Sequence, residues 1–517
     1  MTALLHKRNW NTIWNYLLIA SIIIAVGLIL STNLFHYCYK MNADIASEAV
    51  LARLIWESGE WIPKSWYPST ELRIWQTPDL AALFYGITSN MVLSMGVACI
   101  VMTVGILLSA YFFISQFSFD KTQKLAFLLL CIIIPNHFIT LELFYLFGSY
   151  YSVHVIVMFI TLSIYARLIS EKHRCSLWLF ITVLLSFIIG MQGIREILIL
   201  YVPLLVTEIL RQFYLIYTGT LKNKRNLLVS AWCVILLFVG CVGTMAPFSV
   251  GQSTTKNIRK GLRKLYETVL RHVIDCLGWT EVQKLGKIIL FILLLSGFIS
   301  LIWCIRRIIK RRGTDHTSWI YIMLWISPIL TMLTVAFTTT ESSQRYYFVI
   351  LFNMAFGFVY FMKWLKEKSV PCYSIGYLIV LLLFVSQSIF VYKPIMQSAE
   401  PFPDTKYEVV RYLEDNGLQT GYANFELANA MTVLSDGTIR VAAVASIEKM
   451  DICKWLSSTE WYVPNMPYES KTAYIVMETE KEDFEKFYEQ HHEYLQFDMQ
   501  IGQFLIYESD YNFSCLE

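Results

Sequence analysis

Apolar residues in this chain come in long runs separated by short polar breaks, a pattern of helices crossing a hydrocarbon core rather than of alternating strands. The first run, Ile13 to Phe35, is long enough to cross a bilayer at roughly 1.5 Å of rise per residue. Further runs lie near Ser89 to Ile114, Leu125 to Phe147, Tyr151 to Ile169, Leu177 to Gly190, Ile197 to Tyr217, Leu227 to Pro247, Ile288 to Ile305, Trp319 to Phe337, Tyr347 to Met362 and Tyr373 to Tyr392. Two are irregular. The Leu125 run breaks at Pro135-Asn136, and Leu177 to Gly190 falls short of the ~17 residues a span usually needs.

Charge fixes the orientation these runs predict. Lys7 and Arg8 hold the N-terminus in the cytoplasm, and basic residues recur at Lys121 and Lys124, Arg167 to Arg174, Lys222 to Arg225, Arg306 to Arg312 and Lys363 to Lys368. With about eleven crossings, each of these clusters falls on the inner side. Merging either irregular run with its neighbour would put every later cluster outside. The first run is long and ends in Phe35-His36-Tyr37 without a small-residue cleavage site, so it reads as an uncleaved helix.

After Tyr392 the composition turns polar through a Pro-bearing linker, Glu400-Pro401-Phe402-Pro403. The expected fold is therefore an α-helical polytopic membrane protein with its N-terminus inside and a small C-terminal extracytoplasmic α/β or α+β domain. The expected organisation is a transmembrane domain over residues 1–395, with outer amphipathic loops at 36–87 and 248–287, and a soluble domain over 396–517. In that domain the pattern predicts helices at Lys406 to Asn416 and Lys481 to His491. Strands are predicted at Thr420 to Asn424, Thr438 to Ser446 and Thr472 to Glu478, and near Leu495 and Phe504.

Composition narrows the function. Hydrophobic residues make up 56% and charged residues 16%, and a net charge of +3 excludes nucleic acid as a partner. The eleven cysteines are scattered with no C-x-x-C pair, which leaves no metal or redox motif. Cys453 and Cys515 are either a disulfide or two buried thiols. His137 and His154 are lone histidines without companions at ligand spacing. Ionisable groups avoid helix centres and gather near helix ends and outer loops, at Asp44, Glu48, Glu142, Arg195, Glu196, Glu341 and Arg345. That is unlike an ion-coupled transporter and points to chemistry at the outer surface. The loop from Ser249 to Lys287 carries Lys256, Arg259, Lys260, Arg263, Lys264 and Arg271 among apolar residues at helical spacing. It reads as a basic interfacial helix that meets membrane lipids and could recruit an anionic lipid-linked donor.

The first outer loop carries the densest chemistry. Asp44 is placed to cap a helix that Gly59 ends, and the four-residue step to Glu48 puts both carboxylates on one face. That face is either a solvated acidic side of an amphipathic helix or a catalytic one.

The run from Asp44 to Pro63 resembles the first outer loop of GT-C superfamily glycosyltransferases, polytopic enzymes that use polyprenyl-phosphate-linked sugars, such as protein O-mannosyltransferases and lipid A aminoarabinose transferases. Gly59-Glu60-Trp61 is similar to their Gly-acidic-Trp stretch. Gly190-Met191-Gln192-Gly193-Ile194-Arg195 and Gln344-Arg345-Tyr346-Tyr347 extend the likeness. Many members carry a second acid directly after the first, where this chain has Ile45, so Glu48 is the candidate replacement.

The resemblance implies transfer of a sugar from a polyprenyl-phosphate carrier to a cell-envelope glycan, lipid or protein acceptor at the outer face of the plasma membrane. It implies Asp44, Glu48 and Glu142 as catalytic carboxylates, and Arg345, Tyr346 and Arg195 as donor-phosphate ligands, with a divalent cation as an optional aid. A lipid-linked glycan flippase and a noncatalytic envelope-assembly protein are the alternatives.

Overall fold

A computed structural model describes residues 2–170, 176–220, 224–246, 258–399, 405–462 and 471–514. The linker Glu400-Pro403, Lys256, Cys515 and parts of the basic clusters at 171–174 and 222–223 lie outside the described residues. The chain forms two compact units. One comprises Met1–Ile29, Met102–Tyr145 and Tyr150–Pro394, and the other Leu30–Val101, Leu146–Ser149 and Ile395–Glu517.

Among the described residues, each of the eleven apolar runs is largely helical. Nine helices among the described residues are long and apolar enough to span a membrane. The two irregular runs are the exceptions. Leu125 to Phe147 becomes Lys121–Ile133 and Phe138–Phe144, bent by 112° at the Pro135 break, and counts as a tenth span only if the pair is one broken crossing. Leu177–Gln192 is a shorter apolar helix.

In the first unit, small residues let helices touch. A Cβ on Gly190 would lie 2.2 Å from the Gly240 carbonyl oxygen, so Ser176–Gln192 and Lys224–Gly243 pack backbone to backbone. Gly193, with φ of 146°, then turns the chain, which is what the glycines of the Gly190 motif do here.

The expectation that charge avoids helix centres fails at Glu208. This residue sits within the span Ile197–Tyr217 and is fully buried. Its carboxylate accepts hydrogen bonds from Tyr165 Oη (2.8 Å), Arg211 Nε and Nη2 (2.8 and 2.9 Å), Gln212 Nε2 (2.6 Å) and Ser230 Oγ (2.9 Å). So complete a donor shell marks a structural tie among three helices rather than a transport site.

The second unit is built on a six-stranded sheet. Its strands are β2 (Thr420–Asn424), β3 (Arg440–Ser446), β4 (Asp451–Ile452), β6 (Thr472–Met477), β7 (Leu495–Ile501) and β8 (Phe504–Ser509), in the order β4-β3-β2-β6-β8-β7. The central trio β3-β2-β6 is parallel and the outer pairings are antiparallel, which makes the tail a mixed α/β layer.

Alternation along the strands sends Ala423, Val441, Ala443 and Ile475 to one face and Tyr422, Ala442, Val444 and Tyr474 to the other. The helices Thr405–Asp415 and Phe425–Leu434 cover the first face and Lys481–His491 the second. Phe425–Leu434 was not expected from the pattern. Asn424 starts it, its side chain accepting from Leu427 N–H at 3.1 Å.

The first outer loop and the tail belong to the same compact unit, and specific bonds join them. Strand β1 (Trp66–Tyr67) pairs antiparallel with β5 (Ser457–Ser458). Asp436 accepts from Met91 N–H (2.8 Å) and Asn90 Nδ2 (3.0 Å) at the start of the helix Met91–Ile114. Arg53 Nη1 donates to the Gly437 carbonyl (3.2 Å) and Lys406 Nζ to that of Met41 (3.2 Å).

Replacing Glu208 by Ala removes the partner of buried Arg211. The account expects a loss of about 3–5 kcal/mol of stability, read as a lowered thermal midpoint in detergent. An unchanged midpoint would show that the network carries no load.

Candidate active site

In the second unit, the loop helix Ala43–Ser58 forms where expected and ends at Gly59, whose φ of 68° is the left-handed conformation that closes a helix. Its start differs from expectation. Asn42 is the cap, accepting from Ile45 N–H at 2.8 Å, and Asp44 lies in the first turn.

The helix is also not amphipathic in the interfacial sense. From Ala43 to Leu54 nearly every residue is buried, because Thr77–Thr88 and Phe425–Leu434 pack against it. Asp44 is half-buried and Glu48 only 2% exposed.

Glu48 does not stand alone. Arg73 Nε donates to its Oε1 at 2.6 Å, and Arg73 Nη1 lies 3.6 Å from Glu71 Oε2. Burial still raises the Glu48 carboxyl above the ordinary carboxylate range. Arg73 works against that shift, and the charges of Asp44 and Glu71 add to it.

Asp79, 9% exposed, lies in the first turn of Thr77–Thr88. Its Oδ2 accepts from Gln76 N–H at 2.8 Å, while Oδ1 is buried with no hydrogen-bond partner. Burial raises its carboxyl to about 7, helped by the charge of Glu48 and opposed by the bond from Gln76.

The segment Leu146–Ser149 completes this region of the unit. Phe147 and Ser149 both have positive φ, at 55° and 48°, a strained state for bulky or branched-free side chains alike outside turns built for it. Bonds hold it there. Phe147 N–H donates to Asn33 Oδ1 (2.9 Å), and its carbonyl accepts from Tyr37 Oη (2.6 Å) and Cys99 Sγ (3.1 Å). The Ser149 carbonyl accepts from Thr77 Oγ1 at 3.3 Å.

Sequence reasoning identified Asp44 and Glu48 but missed Glu71, Arg73 and Asp79. One signal was available. Gln76-Thr77-Pro78-Asp79 is a helix start with proline in its first turn and an acid three residues after the cap.

The first unit holds the remaining candidates. Arg195 sits among aromatic rings. Its guanidinium lies over the Tyr151 ring at 3.9 Å and faces the Tyr346 ring at 5.4 Å. Glu196 meets His154 Nδ1 at 2.9 Å, which gives that histidine a partner the sequence did not suggest. Arg345 is exposed, with Nε donating to Ser343 Oγ at 3.2 Å, in the short turn Gln344–Tyr347 that opens the helix Val349–Glu367. Glu142 is buried on Phe138–Phe144, just beyond the Pro135 break.

The basic stripe forms helical segments from Ile258 to Cys276 that expose Leu262, Tyr266, Leu270 and Ile274. Lys264 is turned to structure. Its Nζ donates to the carbonyls of Val335, Thr338 and Thr340, at and just beyond the end of His316–Phe337. Among the described residues, no three His, Cys, Asp or Glu side chains are grouped to hold a metal ion.

No protein-family model and no curated protein matches this chain. Solved structures do. The crystal structure of ArnT from Cupriavidus metallidurans in the apo state superposes with a TM-score of 0.53 at 10% identity, over 98% of this chain and 99% of that one. The structure of the same protein bound to undecaprenyl phosphate gives 0.53 at 9% identity, over 98% and 100%. The chain thus has the ArnT fold along almost its whole length, and the fold expected from the GT-C resemblance is the one found.

The raised Asp79 carboxyl predicts a pH dependence of stability. An unfolded Asp releases its proton near 3.8, whereas the folded one holds it to about 7. The folded state therefore binds more protons between those values, and stability falls as pH rises through that window, by roughly 4 kcal/mol at most. Asp79→Asn removes this loss. Its thermal midpoint should exceed wild type at pH 8 and vary less from pH 4 to 8; parallel midpoints in both proteins would contradict the assignment.

Proposed function

We propose that this protein is an integral membrane glycosyltransferase. It moves a sugar from a polyprenyl-phosphate carrier to a cell-envelope acceptor at the outer face of the plasma membrane, where the C-terminal tail also lies. The observation that carries this reading is the pair of buried carboxyls Glu48 and Asp79, with half-buried Asp44 one helical turn from Glu48 and Arg73 bonded to Glu48 and beside Glu71, in a chain whose fold is that of a protein seen with undecaprenyl phosphate. Buried acids held close together are costly to fold and are retained where acid–base work is done.

The chemistry follows from the carrier. An acceptor hydroxyl oxygen forms a bond to the anomeric carbon as the bond from that carbon to the phosphate oxygen breaks. The electron pair leaves on the phosphate, giving free polyprenyl phosphate, and the hydroxyl proton passes to a carboxylate. Asp44, half-buried in the first turn of its helix, is the residue that orients or deprotonates the hydroxyl. Glu48, fixed by Arg73, supplies negative charge to the oxocarbenium-like sugar. Arg195 and Arg345 are the proposed phosphate ligands, since a guanidinium matches phosphate geometry in a bidentate fork, and Tyr346 flanks the headgroup. Glu142 is a reserve carboxylate.

Purified wild type and Asp44→Asn, compared in detergent with a panel of polyprenyl-phosphate sugars and envelope extract, test the reading. Wild type should release free polyprenyl phosphate from one donor and the variant should lose about 10²-fold or more of that rate. Equal rates would remove Asp44 from the mechanism.

A further inference from the structure

Within the second unit, the helix Ala43–Ser58 presents two different sides. Arg53 follows Asp44, and Glu57 follows Glu48, by nine residues, which is about two and a half helical turns. The acids of the candidate site and this later pair therefore lie on opposite sides of the helix, about 14 Å apart along its axis. On the later side the helix meets the C-terminal tail. A shallow cleft lies between them, with about 410 Å³ of space that is partly continuous with solvent.

The tail lines the cleft with residues held by short, fixed elements. Strand β3 begins at Arg440, whose N–H donates to the Gln419 carbonyl at 2.9 Å. Ser458, fully buried in β5, accepts from Glu460 N–H at 3.3 Å and so starts the turn Thr459–Trp461. The rim of the cleft is made by Arg53, Glu57, Arg440, Glu460 and half-buried Trp461. Its floor is apolar, with buried Val50, Leu54 and Met91.

Two of the four rim charges satisfy each other, since Arg53 Nε donates to Glu57 Oε1 at 2.7 Å. The other two do not. Arg440 and Glu460 are exposed, and among the described residues neither side chain makes a hydrogen bond or an ion pair, with each other or with a third group.

These groups select a ligand. One open guanidinium and one open carboxylate share a rim whose remaining charges already cancel, so neither an anion nor a cation matches the cleft as a whole. A sugar ring does. Its hydroxyls donate to the carboxylate and accept from the guanidinium, while its C–H face packs on the indole and the apolar floor. A zwitterionic headgroup would meet both charges but leave the indole and the floor uncovered. We propose that this cleft binds a neutral pyranose unit of an envelope glycan that serves as the acceptor. The proposal rests on the transferase reading above and names the acceptor class that it left open.

Because the cleft and Asp44 are on opposite sides of one helix, the ring held here is not the ring that reacts. It is a more distant unit of the same chain, and holding it raises the local concentration of the reacting hydroxyl. Acceptors of several units gain from the cleft, and single sugars do not.

The test is calorimetric titration of the full-length protein in detergent with neutral oligosaccharides released from envelope extract and graded by length. Wild type should bind the longer ones. Arg440→Ala and Glu460→Ala should each weaken that binding about tenfold or more, with the thermal midpoint kept because both side chains are exposed. In turnover, the Arg440→Ala loss should fall on KM for long acceptors rather than on kcat.

Folded wild type that binds none of these oligosaccharides overturns the proposal, as does binding that both variants keep in full. Binding of inorganic phosphate or of a peptide in their place overturns the sugar class. A polyprenyl-phosphate sugar that displaces the bound oligosaccharide assigns the cleft to the donor and overturns the acceptor role. Oligosaccharide binding that the variants weaken, without release of polyprenyl phosphate from any donor, leaves the sugar site standing and overturns the transferase reading instead.

Discussion

Burial of the Glu48 carboxylate against Arg73 is the interaction on which the candidate chemistry depends. A charge that is 2% exposed persists only if something opposes its desolvation, and here one guanidinium does so from 2.6 Å. Its cost explains the surrounding construction. The helix carrying Glu48 is packed by Thr77–Thr88 and by Phe425–Leu434, one from the loop itself and one from the C-terminal tail. A helix lying free on a membrane surface could not keep that carboxylate dry.

The tail therefore has a structural purpose within its unit. The β1–β5 pairing, the Asp436 contacts at the start of Met91–Ile114 and the bond from Arg53 to Gly437 hold a loop that otherwise has little regular structure between Gly59 and Thr77. Catalytic groups are commonly carried by loops that a rigid scaffold positions, and here the mixed sheet is that scaffold. The strained Phe147–Ser149 backbone, fixed by Asn33, Tyr37, Cys99 and Thr77, belongs to the same unit. It is the kind of strain that persists only where neighbours over-determine it.

Much of this was legible in the sequence where a local period or a cap dominated. The apolar runs became helices, Gly59 ended the loop helix, and Thr420–Asn424 and Lys481–His491 formed as read. What was hidden depended on distant partners. Glu208 escaped the expectation that charge avoids helix centres because its donors come from Tyr165 and Ser230 as well as its own helix. The contacts of the Arg195 guanidinium with the Tyr151 ring and of Glu196 with His154 join residues about 40 positions apart, which no local pattern reveals. Asp79 passed unnoticed because a capping acid is ordinary in sequence, and only burial distinguishes it.

The central claim is covalent transfer of a sugar, and the most direct measurement follows that sugar itself. Purified protein in detergent, where no second compartment exists for transport, is mixed with a polyprenyl-phosphate donor labelled in the sugar and with envelope extract, and the products are separated by mass. The account predicts label bonded to an acceptor, with one free polyprenyl phosphate formed for each sugar moved. Donors recovered intact across a broad panel, from protein that is folded and binds undecaprenyl phosphate, would contradict it.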